Sequence, residues 1–150
     1  MVGGCSSHNG MVFVRGNLDD YKRWESFGLK SWSYNQILPY FKKIENWSEG
    51  ENQYRGSLGL LPVKQSRNSN PLFKAFLGAT SEAGHKINPD MNGEYQEGFG
   101  MFDTTIHNGE RASASKYYLN PAKNRKNLNI FSNSFVEKII LMEKKPLALK

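Results

Sequence analysis

The side chains able to do chemistry in this sequence are few and scattered. His8, His85 and His107 have no metal-ligand spacing relative to one another or to Cys5, the single cysteine, and a metal needs its ligands to converge. Cys5 and His8 are three residues apart, a pair that works as nucleophile and base only where the fold aligns them. His85 and His107 read as ordinary loop or surface histidines. "GFG" at 98–100 lacks the third glycine and the following helix of a dinucleotide fingerprint. Backbone chemistry remains. In "GGCSSHNG", residues 3–10, glycines permit unusual dihedrals and remove the side chains that would hold a ligand away. Exposed amides there can donate to a phosphate or to an electron-rich ring edge. A plain glycine–serine turn fits the same residues.

The elements that must position this stretch follow from local signals. Residues 17–28 predict a helix with Asn17 as cap, Asp19 and Asp20 at its positive end, Gly28 as its stop, and Tyr21, Trp24 and Phe27 on one face. A second helix is expected from the cap Ser33 to about Asn46, buried through Tyr34, Ile37, Leu38, Phe41 and Ile44 and kinked at Pro39. The third has Asn70 as cap, Pro71 in its first turn and Gly84 at its end, with Leu72, Phe73, Phe76, Leu77 and Ala83 facing inward. Residues 48–58 read as a surface loop. Strands are expected at 60–64, 101–106, 128–132 and 136–142, with a turn at "HNGE" and a short helix through "ASKYYL" that Pro121 helps to end. The irregular mixture indicates an α/β fold with an α+β portion.

Composition bounds the partners. A chain of 150 residues can bury a core of its own. Its 20 basic and 14 acidic residues leave a formal charge of +6. The positive charges are dispersed except at "KNRK" (123–126) and in the tail "EKKPLALK" (143–150). No RNA-binding signature accompanies them, so a nucleic-acid partner is not expected. A lone cysteine fits a reducing compartment, and no apolar run reaches membrane-spanning length. A cytoplasmic location is the plain expectation, with membrane association open for a longer protein.

Several ordered segments carry a resemblance. "VGGCSSHNGMVFVRGNLDDYKRW" is similar to the first signature of the glucose-methanol-choline (GMC) oxidoreductases, flavoenzymes that oxidise alcohols. "SWSYNQILPYF" (31–41), "YRGSLGLLPV" (54–63) and residues 90–131 resemble further segments of that family in the same order, the last most like its choline dehydrogenase branch. The resemblance runs from Val2 to about Met142. It implies FAD as cofactor, part of an FAD/NAD(P)-binding (Rossmann-like) domain, and part of the GMC substrate domain. Residues 1–16 and 111–150 would belong with the FAD domain, and 17–110 with lid and substrate-domain segments. In the family, a G-x-G-x-x-G unit precedes this region and the catalytic histidine follows it. An internal fragment is therefore expected, without a catalytic residue, binding FAD weakly or not at all when alone. The family's last hairpin closes differently from "EKKPLALK", where Pro146 suits a central strand poorly.

By resemblance, Val2, Gly4, Asn9, Gly10, Met11 and Val12 line the flavin, largely through main-chain groups, and the backbone of Val136 meets the adenine. His8 in "GGCSSHN" is similar to the choline oxidase histidine bonded to the 8α carbon of FAD. The alternative is an imidazole that only stacks beside the ring. The implied reaction is hydride transfer from an alcohol carbon, choline favoured, to flavin N5. Dehydrogenase and oxygen-using oxidase remain alternatives, with the electron acceptor open. A non-catalytic basic binding protein is the reading outside enzymology.

Overall fold

The computed structural model describes residues 1–142 and 145–149. They fall into two compact units, residues 1–120 and 121–150.

The first unit begins with a tight 3₁₀ turn, Gly4–Ser7, and a short strand β1 (Val12–Phe13). Helix α1 (Leu18–Ser26) starts as expected at Asn17. The Asn17 side chain accepts from the Asp19 amide, while Asp20 reaches back to the Asn17 amide, closing a capping box. Tyr21 is buried against Trp24, Tyr34 and Phe41, with ring centroids 5.5, 5.9 and 6.3 Å away. Phe27 lies beyond the helix end and is exposed.

Helix α2 (Tyr34–Ile44) continues through Pro39 and stops two residues short of the expected end. Ser33 holds the cap position without a side-chain hydrogen bond. The chain then extends as β2 (Glu45–Trp47), which pairs in parallel with β3 (Leu61–Val63). The reason is Glu45, whose carboxylate is drawn into a buried ion cluster. The expectation of a surface loop at 48–58 is corrected at its end, because Arg55 and Gly56 are buried. A Cβ on Gly56 would meet the backbone of Lys42, and one on Gly59 the backbone of Ile44 and Glu45. Glycine at these two positions lets the loop seat directly on the end of α2.

Helix α3 (Pro71–Glu82) has its cap as expected, Asn70 accepting from the Leu72 amide at 2.9 Å. Its inward face is corrected: Leu72 is 78% and Phe76 52% exposed, and Ala83 is exposed too. Only Thr80 on this helix is buried. Phe76 does meet Phe99 edge-on at 5.7 Å.

The expected strand at 101–106 divides into β4 (Asp103–Thr104), antiparallel to β1, and β5 (Ile106–His107). β5 turns at Asn108–Gly109, both with positive φ, into β6 (Glu110–Arg111), the mirror-image turn that asparagine–glycine favours. A wide helical turn covers Ser115–Leu119, and a short helical turn α4 takes in Asn120–Ala122. Pro121 thus sits within helical structure and does not stop it, as its missing amide permits in a first turn.

In the second unit, 128–132 forms no strand, and the last expected strand begins three residues late as β7 (Ile139–Met142). It pairs antiparallel with β8 (Lys145–Leu149), and a register shift falls between Ile140 and Leu141. Pro146 lies in β8, where a two-stranded sheet makes every strand an edge and tolerates the missing amide. Helices and strands are mixed, as expected. The described strands form pairs only, one parallel and three antiparallel. Among the described residues no helix is long and apolar enough to cross a membrane.

The interior of the first unit is charged. Glu45 and Arg55 are both 0% exposed, and Arg15 and Asp103 are buried. Arg55 donates to Glu45 Oε1 from Nε (3.0 Å) and Nη2 (2.6 Å), to Asp103 Oδ2 at 2.6 Å and to Asp90 Oδ1 at 2.5 Å. Arg15 donates to Glu45 Oε2 at 2.6 Å. The Arg55 guanidinium also lies 4.1 Å from the centre of the Trp47 ring, a cation–π contact. Burial pushes the Asp103 carboxyl above its ordinary pKa, although hydrogen bonding and attraction from Arg55 oppose this.

Candidate functional site

The glycine-rich opening is built to keep its backbone in one shape and open on one side. Gly3 has φ +95°, and a Cβ there would press on the Ser7 hydroxyl and lie 3.1 Å from Ser115 Cβ. Gly4 has φ +56° and Gly10 an ordinary dihedral, and at both a Cβ would meet nothing within 4 Å. The two serines fasten the turn from within: Ser6 Oγ donates to Gly3 O at 2.5 Å and Ser7 Oγ to Val2 O at 2.9 Å. The amides of His8 and Asn9 both bond Cys5 O, at 3.1 and 2.8 Å. Among the described residues no acceptor takes the Gly10 amide.

Asn9 shapes the exit from the turn. Its Oδ1 accepts from the Met11 amide at 3.1 Å, and Met11 takes φ +60°. The Met11 carbonyl accepts from the Thr105 amide at 2.8 Å. Val12 and Phe13 then pair with Thr104 and Asp103, so the strand that follows the turn is tied to β4. Asn92 seals the other edge of this strand, donating to Phe13 O and accepting from the Arg15 amide at 2.9 and 2.8 Å. Asn92 is itself tied by its amide to Asp90, and Asp90 to Arg55. The buried ion cluster therefore fixes both neighbours of β1.

Val2, Gly4, His8, Asn9, Gly10, Met11 and Val12 thus come together on one continuous turn. The His8 side chain is exposed, as are Val2 and Val12, at 51% each. Cys5 is exposed as well. Val136 belongs to the second unit, where it is half exposed and outside any strand. Among the described residues no group of three or more histidine, cysteine, aspartate or glutamate side chains is placed to hold a metal ion.

Sequence reasoning missed two sets of residues. The buried cluster of Arg15, Glu45, Arg55, Asp90 and Asp103 carries no local signal, since its members are 10 to 48 residues apart along the direct contacts. Arg111 follows the HNGE turn and carries no signal of its own, yet its Nη1 lies 2.7 Å from Asn9 O, 2.7 Å from Asn9 Oδ1 and 3.3 Å from Ser6 O. Beside it Lys116 pairs with Glu110, which holds the Glu110 carboxyl below its ordinary pKa.

The profile of one family, GMC oxidoreductase, matches residues 1–149. The chain is 45% identical over 150 residues to the oxygen-dependent choline dehydrogenase of Brucella anthropi, a match covering 100% of this chain and 27% of that protein. It is 47% identical over 142 residues to the enzyme of the same name from Staphylococcus xylosus, covering 93% of this chain and 25% of the other. Among solved structures, pyridoxine 4-oxidase from Mesorbium loti superposes with a TM-score of 0.86 at 27% identity, over 96% of this chain and 29% of that one. An FAD-dependent oxidoreductase from Chaetomium thermophilum gives 0.87 at 26% identity, over 99% and 28%. The chain spans about a quarter of the length of the curated relatives it matches. Profile, identity and superposition agree on the same assignment: the chain belongs to the GMC oxidoreductase family.

Proposed function

We propose that this chain supplies the flavin-facing wall of an FAD-dependent oxidoreductase acting on CH–OH groups, with choline as the favoured substrate. The observation that carries the reading is the open backbone at Gly4 and Gly10, flanked by exposed Val2 and Val12 and with the Gly10 amide unpaired among the described residues. These features fit a flat heteroaromatic ring: there is room where a Cβ would stand, apolar surface beside it, and a donor for a ring acceptor. The names of the relatives from Brucella anthropi and Staphylococcus xylosus support choline as substrate.

When bound, FAD supplies the two-electron oxidation, taking the hydride from the alcohol carbon at N5. The residues of this chain bind and orient. Val2 and the run Asn9–Val12 hold the ring edge through main-chain groups, and the ties of Met11 to Thr105 keep that run in place. His8, exposed on the turn, is proposed as the point of covalent attachment, which the resemblance to choline oxidase supports. Val136 is proposed to meet the adenine through its backbone. No residue here is assigned to take the hydroxyl proton. In domain terms we assign 1–16 and 111–150 to a Rossmann-like FAD domain and 17–110 to the lid and substrate domain.

The deciding experiment adds choline anaerobically to the FAD-loaded oxidoreductase that carries this wall, because the chain by itself is expected to bind FAD weakly and supplies no residue for the hydroxyl proton. Bleaching of the visible flavin band is the expected result; an unchanged band overturns choline as substrate. Admitting oxygen then separates the acceptors, since peroxide release marks the oxidase reading. Flavin that stays with the protein after denaturation, and is lost in His8→Ala, establishes the attachment.

A further inference from the structure

We infer that Arg111 is the positioning residue for the turn that carries His8. The inference rests on the reading of that turn as flavin-facing, and its geometry stands independently. Residues 6 and 9 bracket His8, and Arg111 bonds both: the Ser6 carbonyl, the Asn9 carbonyl and the Asn9 side-chain oxygen. Its reach spans more than 100 residues of chain, from the β5–β6 hairpin to the N-terminal turn. A second tie runs alongside, the Ala114 amide donating to Ser6 Oγ at 2.9 Å.

The consequence for His8 is specific. Asn9 Oδ1 accepts from both Arg111 and the Met11 amide, so one oxygen joins the hairpin, the turn and the strand that follows. With the backbone held on both sides, the His8 main chain is fixed while its exposed imidazole is left to face a ligand. Hydrogen bonds from a charged donor are stronger than neutral ones, which suits a tie that must hold a turn of small residues against solvent.

A single nitrogen, Nη1, makes all three contacts. The fork geometry of the guanidinium is therefore not what the site uses, and a lysine ammonium with three donors can take its place. This gives the test a conservative rescue. Amide exchange at residues 8, 9 and 11, whose amides are hydrogen-bonded, is compared in wild type, Arg111→Gln and Arg111→Lys, with Trp47 and Val63 as controls for the fold. In FAD-loaded oxidoreductase carrying the same substitutions, the shape of the visible flavin band and the flavin fraction surviving acid denaturation are recorded alongside.

Arg111→Gln is expected to speed exchange at residues 8, 9 and 11 by roughly 10- to 100-fold, with the controls unchanged, and Arg111→Lys to restore most of the protection. The flavin band and the surviving fraction should follow the same order. Unchanged exchange in both variants overturns the inference. If exchange responds while the flavin properties do not, the clamp stands and the flavin reading of the turn falls. A flavin change without an exchange change overturns the clamp and leaves that reading intact. If Arg111→Gln loses protection at Trp47 as well, Asn9→Ala decides instead, since it removes one acceptor of Arg111 and leaves the charge in place. Faster exchange at residues 8 and 9 with Trp47 intact then supports the clamp, and unchanged exchange there overturns it.

Discussion

Two regions of the first unit solve opposite problems. Around Arg55 the protein buries two guanidinium groups among three carboxylates and ties them with hydrogen bonds of 2.5 to 3.0 Å, leaving Arg15 Nε and the neighbouring Trp47 Nε1 buried without a partner. In the Gly3–Val12 turn it leaves small residues, open backbone and exposed side chains. The first region is closed on itself, its charges turned toward one another and away from solvent. The second is held at its edges and free at its centre. The difference shows a division of labour, in which charge fixes the scaffold and glycine leaves access to it.

The sharpest way to break the comparison is to remove the central anion. Glu45 accepts from Arg15, from two nitrogens of Arg55 and from the Gly56 amide. Glu45→Gln leaves two buried guanidiniums facing each other without their shared counter-charge. A loss of about 3–5 kcal/mol in urea unfolding is expected. A loss under about 1 kcal/mol, the level of a surface pair, would show that solvent reaches the cluster.

The turn makes the opposite prediction, and its glycines divide. Gly3→Ala meets both the positive φ and the Ser7 and Ser115 side chains, so a loss of about 1–3 kcal/mol is expected. Gly10→Ala meets open space at an ordinary dihedral. Its stability should move by less than about 1 kcal/mol, and upward if at all, because alanine narrows the unfolded ensemble. Its FAD affinity should nevertheless fall, because the new methyl stands where the ring is proposed to approach. Equal effects of the two substitutions on stability and on FAD affinity would erase the distinction between a structural and an access glycine.

What the sequence shows and what it hides follow the same line. The Asn17 cap, Asn70 with Pro71, and Asn108–Gly109 are local devices, complete within a few residues, and all three form as read. The buried cluster is not local. Charged residues in a polar stretch read as solvated surface, and nothing near Arg55 announces Asp103, 48 residues away. Leu72 shows the converse, since periodicity finds an apolar face but not whether another element covers it. The turn was legible as a place of close backbone approach, and its use only through resemblance. Arg111, one residue past the HNGE turn signal, becomes visible only where the fold brings residues 6 and 9 to it.

A cap between the two regions gives a smaller effect. Asn17 lies two residues past Arg15 and caps α1, so it borders the cluster without joining it. Asn17→Ala removes the acceptor of the Asp19 amide and should cost about 1 kcal/mol, leaving FAD affinity unchanged. A loss as large as that of Glu45→Gln would mean that the cap and the cluster unfold as one.

The smallest expected effect tests the charge count inside the cluster. Two guanidiniums against three carboxylates leave one negative charge in excess, and Asp103 is the carboxyl that burial pushes above its ordinary pKa. The folded state therefore keeps this proton at pH values where the unfolded chain has released it. Its contribution favours folding fully below the unfolded pKa and is lost as pH rises through the folded one. Across that acidic window the stability of the wild type should fall with rising pH relative to Asp103→Asn, which has no proton to lose. Urea titrations of both proteins at a series of pH values measure this relative slope. A wild type that instead gains stability on Asp103→Asn with rising pH would mean that attraction to Arg55 outweighs burial. The cluster would then carry its excess negative charge, with no proton held to offset the third carboxylate.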